Sequence, residues 1–236
     1  MKHTRSLAEI EIRQKVVARF RELWPDARII HEMNVEGGAA RADVVAVQPD
    51  RVWICEIKSE RDTLSRLPDQ VKFFGPSCHG LIIAAHAKWT TSPGMSEPHP
   101  KHGYRTTIPS KIDDSLTGVS RRLYDLWTYP EPVLTSGRHW SAPFSAQVPW
   151  YHRMIHLLWS DEIRAVAGEH RIACTSKTSG SKLAKDLSQL MNGREIERAV
   201  CKQLRARTFA EADEPIFVDR KIVPPHPNSV RQESIL

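Results

Sequence analysis

The chain of 236 residues has no apolar run near the roughly 20 residues needed to cross a bilayer, which excludes a spanning helix on sequence grounds. Charged residues follow the basic start Met1-Lys2-His3-Thr4-Arg5, where a secretory signal needs an apolar stretch, so a cytoplasmic location is expected. Its four cysteines, at 55, 78, 174 and 201, form no C-x-x-C pair and read as reduced thiols. A Walker loop, a dinucleotide fingerprint, a Ser-His-Asp pattern and internal repeats are also lacking. His152 and His156 stand four apart, a spacing that binds zinc, but no third ligand stands out; His99 and His102 read as loop.

What is present is a soluble composition, 40% hydrophobic and 26% charged, with a net charge of +6. That sign favours an anionic partner, nucleic acid before an anionic membrane. Residues 6–24 carry Ile10, Val17, Phe20 and Trp24 at helical spacing, and Pro25 stops the helix. Strands are expected at 28–34, 41–48 and 51–58, the last two joined by the turn Gln48-Pro49-Asp50-Arg51. A helix capped by Asp62 is expected over 62–75, kinked or restarted at Pro68, and a buried strand over 80–85. The order is α-β-β-β-α-β.

Half of the sixteen prolines fall between Pro93 and Pro149, beside Trp89, Trp127, Trp140 and Trp150, so 89–150 reads as an irregular insertion with short elements such as 115–127. Its tryptophans are either core or a surface that stacks bases. Helices are expected over 151–168, 181–191 and 194–207. Ten basic residues against four acids fall between Arg164 and Arg207, an excess equal to that of the whole chain. Four parts follow: a core over 1–88, the insertion over 89–150, a basic helical module over 151–209 and a loose tail over 210–236.

The chemistry-bearing cluster is Asp43 with Glu56-Ile57-Lys58. Alternation puts Glu56 and Lys58 on one face, and pairing of the two strands brings Asp43 to it. Val52 and Ile54 share that face, so charges at its end are costly unless used. The plain alternative is a solvated strand end with a surface ion pair.

Asp43-x12-Glu56-Ile57-Lys58, lying between two helices, resembles the PD-(D/E)XK nuclease superfamily, with Ala42 where the motif's name has Pro. The run Glu56-Ile57-Lys58-Ser59 through Asp62-Thr63-Leu64, Arg66-Leu67-Pro68 and Gln70 is similar to a group of small bacterial and phage members. Glu32, Gly37-Gly38, Arg41 and Glu11-Ile12-Arg13 match the same group. The resemblance implies a restriction-endonuclease-like core and a Mg²⁺- or Mn²⁺-dependent deoxyribonuclease of phage or bacterial repair context. It implies metal held by Asp43, Glu56, the Ile57 carbonyl and Glu32, with Glu11 behind them. It makes Lys58 a catalytic residue, with Gln70 orienting it or binding a phosphate. Arg41 and Arg66 would clamp the DNA backbone, while Lys177, Lys182 and Lys185 belong to a basic loop and helix suited to phosphates. A homodimer is compatible with this reading. The rivals are a non-cutting DNA-binding protein on the same fold and an RNA-processing nuclease.

Overall fold

The computed structural model describes residues 5–90, 110–132, 140–143, 147–175 and 177–217. At its centre is a five-stranded mixed sheet: β1 (Arg28–Val35), β2 (Ala40–Val47), β3 (Val52–Lys58), β4 (Gly80–His86) and β5 (Asp125–Tyr129), ordered as in the sequence. The first three strands are antiparallel and the last two continue in parallel. Every residue of β3 is buried, as its apolar start on both faces demanded. Gly37 and Gly38, at φ of 65° and 99°, make the turn between β1 and β2, where a side chain would be strained.

Helix α1 (Leu7–Leu23) covers one face of the sheet. Its buried residues are Ile12, Arg13, Val16 and Phe20; Ile10 and Val17 of the expected stripe are only partly buried. Ile12, Val16 and Phe20 meet Val44, Ala46, Cys55, Ile82 and Trp127. Trp24 stacks on Trp53 with ring centres 4.4 Å apart, and Trp127 on Trp140 at 5.0 Å. Two tryptophans of the presumed insertion are therefore core.

The other face is covered by α2 (Leu67–Phe74), α4 (Lys111–Ser115), α5 (Tyr151–Ile155), α6 (Ser160–Glu169), α7 (Gly180–Leu190) and α8 (Gly193–Ala206). A short α3 (Ala87–Thr90) follows β4. Leu183, Leu187, Ile196, Val200 and Leu204 share one apolar cluster with Ile54, Ile83 and Phe74. The helices expected as a separate basic module thus pack directly on the sheet, and the boundary at 88 divides no core. The expected helix over 62–75 begins only at Leu67. Asp62 instead accepts hydrogen bonds from the Ser59 amide at 2.7 Å and its hydroxyl at 2.6 Å, fixing a loop, and Pro68 sits in the first turn of α2.

The chain after α8 is fastened too. His31 N donates to the Glu211 carbonyl and Asp213 N to that of Ile29, both at 2.9 Å, so 211–213 covers the free edge of β1. Arg28, 1% exposed, donates to the carbonyls of Leu204, Arg205, Arg207 and Asp213 at 2.7–3.0 Å. A helix end leaves carbonyls without partners, and this one guanidinium reaches two in the last turn of α8, Leu204 and Arg205, and that of Arg207 just beyond it. Of the tail expected to be loose, 218–236 lie outside the described residues. No helix among the described residues is long and apolar enough to cross a membrane.

Replacing Arg28 by Met strands several buried carbonyls at once. We expect Arg28→Met to lower unfolding stability by about 3 kcal/mol or more, read as a shift of the urea midpoint. A loss under about 1 kcal/mol would show that water reaches those carbonyls.

Candidate functional site

The hydrogen-bonded ladder between β2 and β3 ends at Val44–Cys55, whereas β3 stays paired to β4 through Lys58. Beyond that point the Asp43 side chain takes the place of a strand: its Oδ2 accepts from the Ile57 amide at 2.7 Å. Where the two strands part, a cleft of about 1370 Å³ opens, lined by Asp43, Glu56, Ile57, Lys58, Gln70, Glu32, Arg41 and Arg66 among others. Glu32 stands at a positive φ of 55°, unusual for a residue other than glycine. The inward face of β1 switches there: Ile30 and Met33, three apart, enter the same apolar cluster. Strict alternation does not foresee that kink.

On the β3 wall, Glu56 and Lys58 share a face and are 3% and 4% exposed. Lys58 Nζ donates to Glu56 Oε1 at 2.8 Å and to Gln70 Oε1 at 3.0 Å. Gln70 Nε2 closes the ring by donating to the same Glu56 Oε1 at 2.6 Å. Glu56 Oε2 is buried with no hydrogen-bond partner. A buried carboxylate oxygen left bare costs about 1–3 kcal/mol or more, so this atom is set against stability. Removal from water raises the Glu56 pKa, with Lys58 opposing. Asp43 is held well above its ordinary 3.8 by burial first and the Glu56 charge second.

A second group of acids lies beside this pair. Glu9, Glu32 and Asp43 each offer a carboxylate oxygen within 4.8 Å of the others. The Arg13 guanidinium already stands among them. Its Nη2 is 2.7 Å from Glu9, 2.8 Å from Glu32 and 3.5 Å from Asp43, and its Nη1 donates to the Asp43 carbonyl. Glu32 is engaged further by Arg5 at 3.2 Å and Arg41 at 2.7 Å. A metal ligand there must displace arginines, whereas Glu56 Oε2 displaces nothing.

Asp43, Glu56, Lys58, Gln70 and Glu32 thus meet in one cleft, with Arg41 and Arg66 exposed on its walls. Glu11 does not join them. It faces outward on α1 and accepts from the Tyr129 hydroxyl; Glu9, one turn before Arg13, takes the place the resemblance implied for it. Glu9 was missed and Arg13 was matched without a role, and their four-residue spacing beside the buried Ile12 was the available signal. Lys177, Lys182 and Lys185 are exposed and do not line the cleft, and Lys182 is paired with Asp186 at 2.8 Å. His152 and His156 touch edge to face, but neither enters a group of three metal-ligating side chains among the described residues. His99 and His102 lie outside those residues.

Residues 2–93 match a family model described as bacteriophage P4 protein cII. The match spans α1 through β4 and so includes every wall of the cleft built from those elements. No curated protein and no solved structure matches the chain.

Both raised carboxyls favour the protonated form in the folded state. Their contribution to stability without metal is fullest below the ordinary carboxylate range and is lost as pH rises through the raised values. Asn at 43 can still accept from the Ile57 amide without adding charge. In EDTA at neutral pH, Asp43→Asn should raise the melting temperature by about 2–4 °C. A lowered melting temperature would mean that Arg13 needs the Asp43 charge more than burial opposes it.

Proposed function

We propose that the chain is a metal-dependent nuclease of the PD-(D/E)XK type, cutting DNA by hydrolysis and acting in a phage-related setting. The observation that carries the reading is the bare, buried Glu56 Oε2 beside an ordered Lys58, across a strand opening from Asp43. The likeness over residues 2–93 to the bacteriophage P4 protein cII family supports the phage setting.

The donor set fits a hard divalent cation. Carboxylate and carbonyl oxygens suit Mg²⁺ or Mn²⁺, and among the described residues no thiol or imidazole lines the cleft. Asp43 and Glu56 are the holders, with the Ile57 carbonyl as a further oxygen. Glu32, engaged by three arginines, is the weakest member of the set. Held there, such an ion would supply positive charge against the phosphate and acidify a water.

The chain's own residues supply the rest. Lys58, fixed by Glu56 and Gln70, presents an ammonium where negative charge grows on an attacked phosphate. Gln70 holds the Glu56 carboxylate and the Lys58 amine in one geometry, so it positions rather than reacts. Arg66 and Arg41, both exposed along the cleft, take backbone phosphates. The duplex backbone has the charge density that a chain of +6 attracts.

Incubation with duplex, single-stranded and branched DNA, and with RNA, tests the reading in Mg²⁺ against EDTA. Cleavage should need the ion, and Asp43→Ala or Lys58→Ala should reduce it at least about 1000-fold with the fold intact. Equal cleavage by parent and both variants refutes the assignment. Tight DNA binding without cleavage would favour the rival, a binding protein on the same fold, and cleavage of RNA alone would favour the other.

A further inference from the structure

A smaller concavity of about 380 Å³ lies at the other end of β3, roughly 20 Å from the acid cleft along the strand. Its floor is His79, whose Nδ1 accepts from the Val52 amide at 3.1 Å. Burial pushes this imidazole below its ordinary pKa, so at neutral pH it is uncharged and its Nε2–H faces Glu197 at 3.4 Å. Glu197 also accepts from the Tyr151 hydroxyl at 3.5 Å. The pocket's deeper acid is therefore occupied by two neutral donors.

Three cations on the rim have no such partner. Arg194 and Arg198, four apart on α8, present one face of that helix. Arg51 approaches from the turn before β3. All three are exposed, and none has an acid partner among the described residues. Asp50 on the same rim leaves the site net positive.

An exposed tryptophan follows the pocket-lining Val148 in the chain. The Trp150 side chain is 66% exposed, although its backbone is fixed by a 2.9 Å hydrogen bond to the Pro76 carbonyl. Its place in the chain brings it to this end of the molecule: Val148, two residues before it, lines the pocket, and Tyr151, the next residue, bonds Glu197 there and packs on Gly193, the first residue of α8. Val148, 70% exposed, extends the apolar surface into the pocket. Trp127 and Trp140 are 1% and 3% exposed and are used in the core; Trp150 is not.

We propose that Trp150 with Arg51, Arg194 and Arg198 forms a binding surface for single-stranded nucleic acid, separate from the acid cleft. A base stacks on the indole while the guanidiniums take the flanking phosphates, the pairing of aromatic plane and cationic groove that single strands require. A duplex keeps its bases stacked inside and cannot use the indole. This surface does not depend on the cleavage chemistry, so it stands or falls apart from the nuclease reading.

The test uses the full chain in EDTA, where metal-dependent cleavage is silent, and fluorescence anisotropy of a labelled oligo(dT) of about 15 nucleotides. The parent should bind it more tightly than a duplex of equal length. Trp150→Ala should weaken binding about tenfold or more, with Trp150→Phe recovering part of the loss. The double variant Arg194→Ala/Arg198→Ala should lower the slope of log affinity against log salt by about 1.4. Equal affinity of parent and Trp150→Ala overturns the proposal, including the case where the arginine pair matters and pyrophosphate competes, which marks a phosphate site only. It is also overturned by absent binding, by a duplex preference, or by a loss shared by Trp150→Phe with a lowered melting temperature.

Discussion

One buried carboxylate sets the terms for this molecule. Glu56 lies in a strand whose residues are all shut away from water, and one of its oxygens has nothing to bond to. A protein selected for stability alone would place an apolar residue there, or a second donor. Instead the other oxygen carries both Lys58 and Gln70, so charge is balanced on one oxygen and the second is left bare. The arrangement holds because β3 is clamped by β4 up to Lys58 while β2 lets go after Val44. A split in the sheet, not a loop, creates the cleft.

Guanidinium groups do much of the remaining structural work. Arg13 gathers Glu9, Glu32 and Asp43 around itself and ties α1 to the strand opening. Arg28 gathers the carbonyls at the end of α8 and fastens 211–213 along β1. Arg5 then links Glu32 to Glu211 at 3.2 and 2.6 Å, joining the segment before α1 to the one after α8 at the rim of the cleft. The acids near the opening are thereby neutralised pairwise, and the Glu56 oxygen is left as the place where an added cation displaces no existing one. Burial that raises the pKa of both Asp43 and Glu56 points the same way, since a positive charge between them is what would let both ionise.

Much of the mixed α/β sheet could be read from the sequence because period-two and period-3.6 patterns are local. The strands over 28–35, 40–47, 52–58 and 80–86 and the helix over 7–23 fall close to where apolar spacing puts them. β5 was hidden because Asp125-Leu126-Trp127-Thr128-Tyr129 sits among prolines, and its strand character comes from pairing with β4. The late start of α2 was hidden for a different reason. Asp62 is a good helix cap by type, but its oxygen is committed to Ser59. At the cleft, Glu56 and Lys58 were legible from two-residue alternation, and Gln70 from the resemblance of the run that follows them. The kink at Glu32 and the choice of Glu9 over Glu11 were not, because both depend on how α1 lies against strands distant in the chain.

The most direct measurement is isothermal calorimetry of Mn²⁺ binding to the parent and to Glu56→Gln, repeated in two buffers of different ionisation enthalpy. Gln at 56 keeps an acceptor for Lys58 and Gln70 but loses the charge on the bare oxygen. The account predicts one saturable site in the parent, proton release on binding near neutral pH, and at least about a tenfold loss of affinity in Glu56→Gln. Equal affinity in the two proteins, or no binding in either, would contradict it.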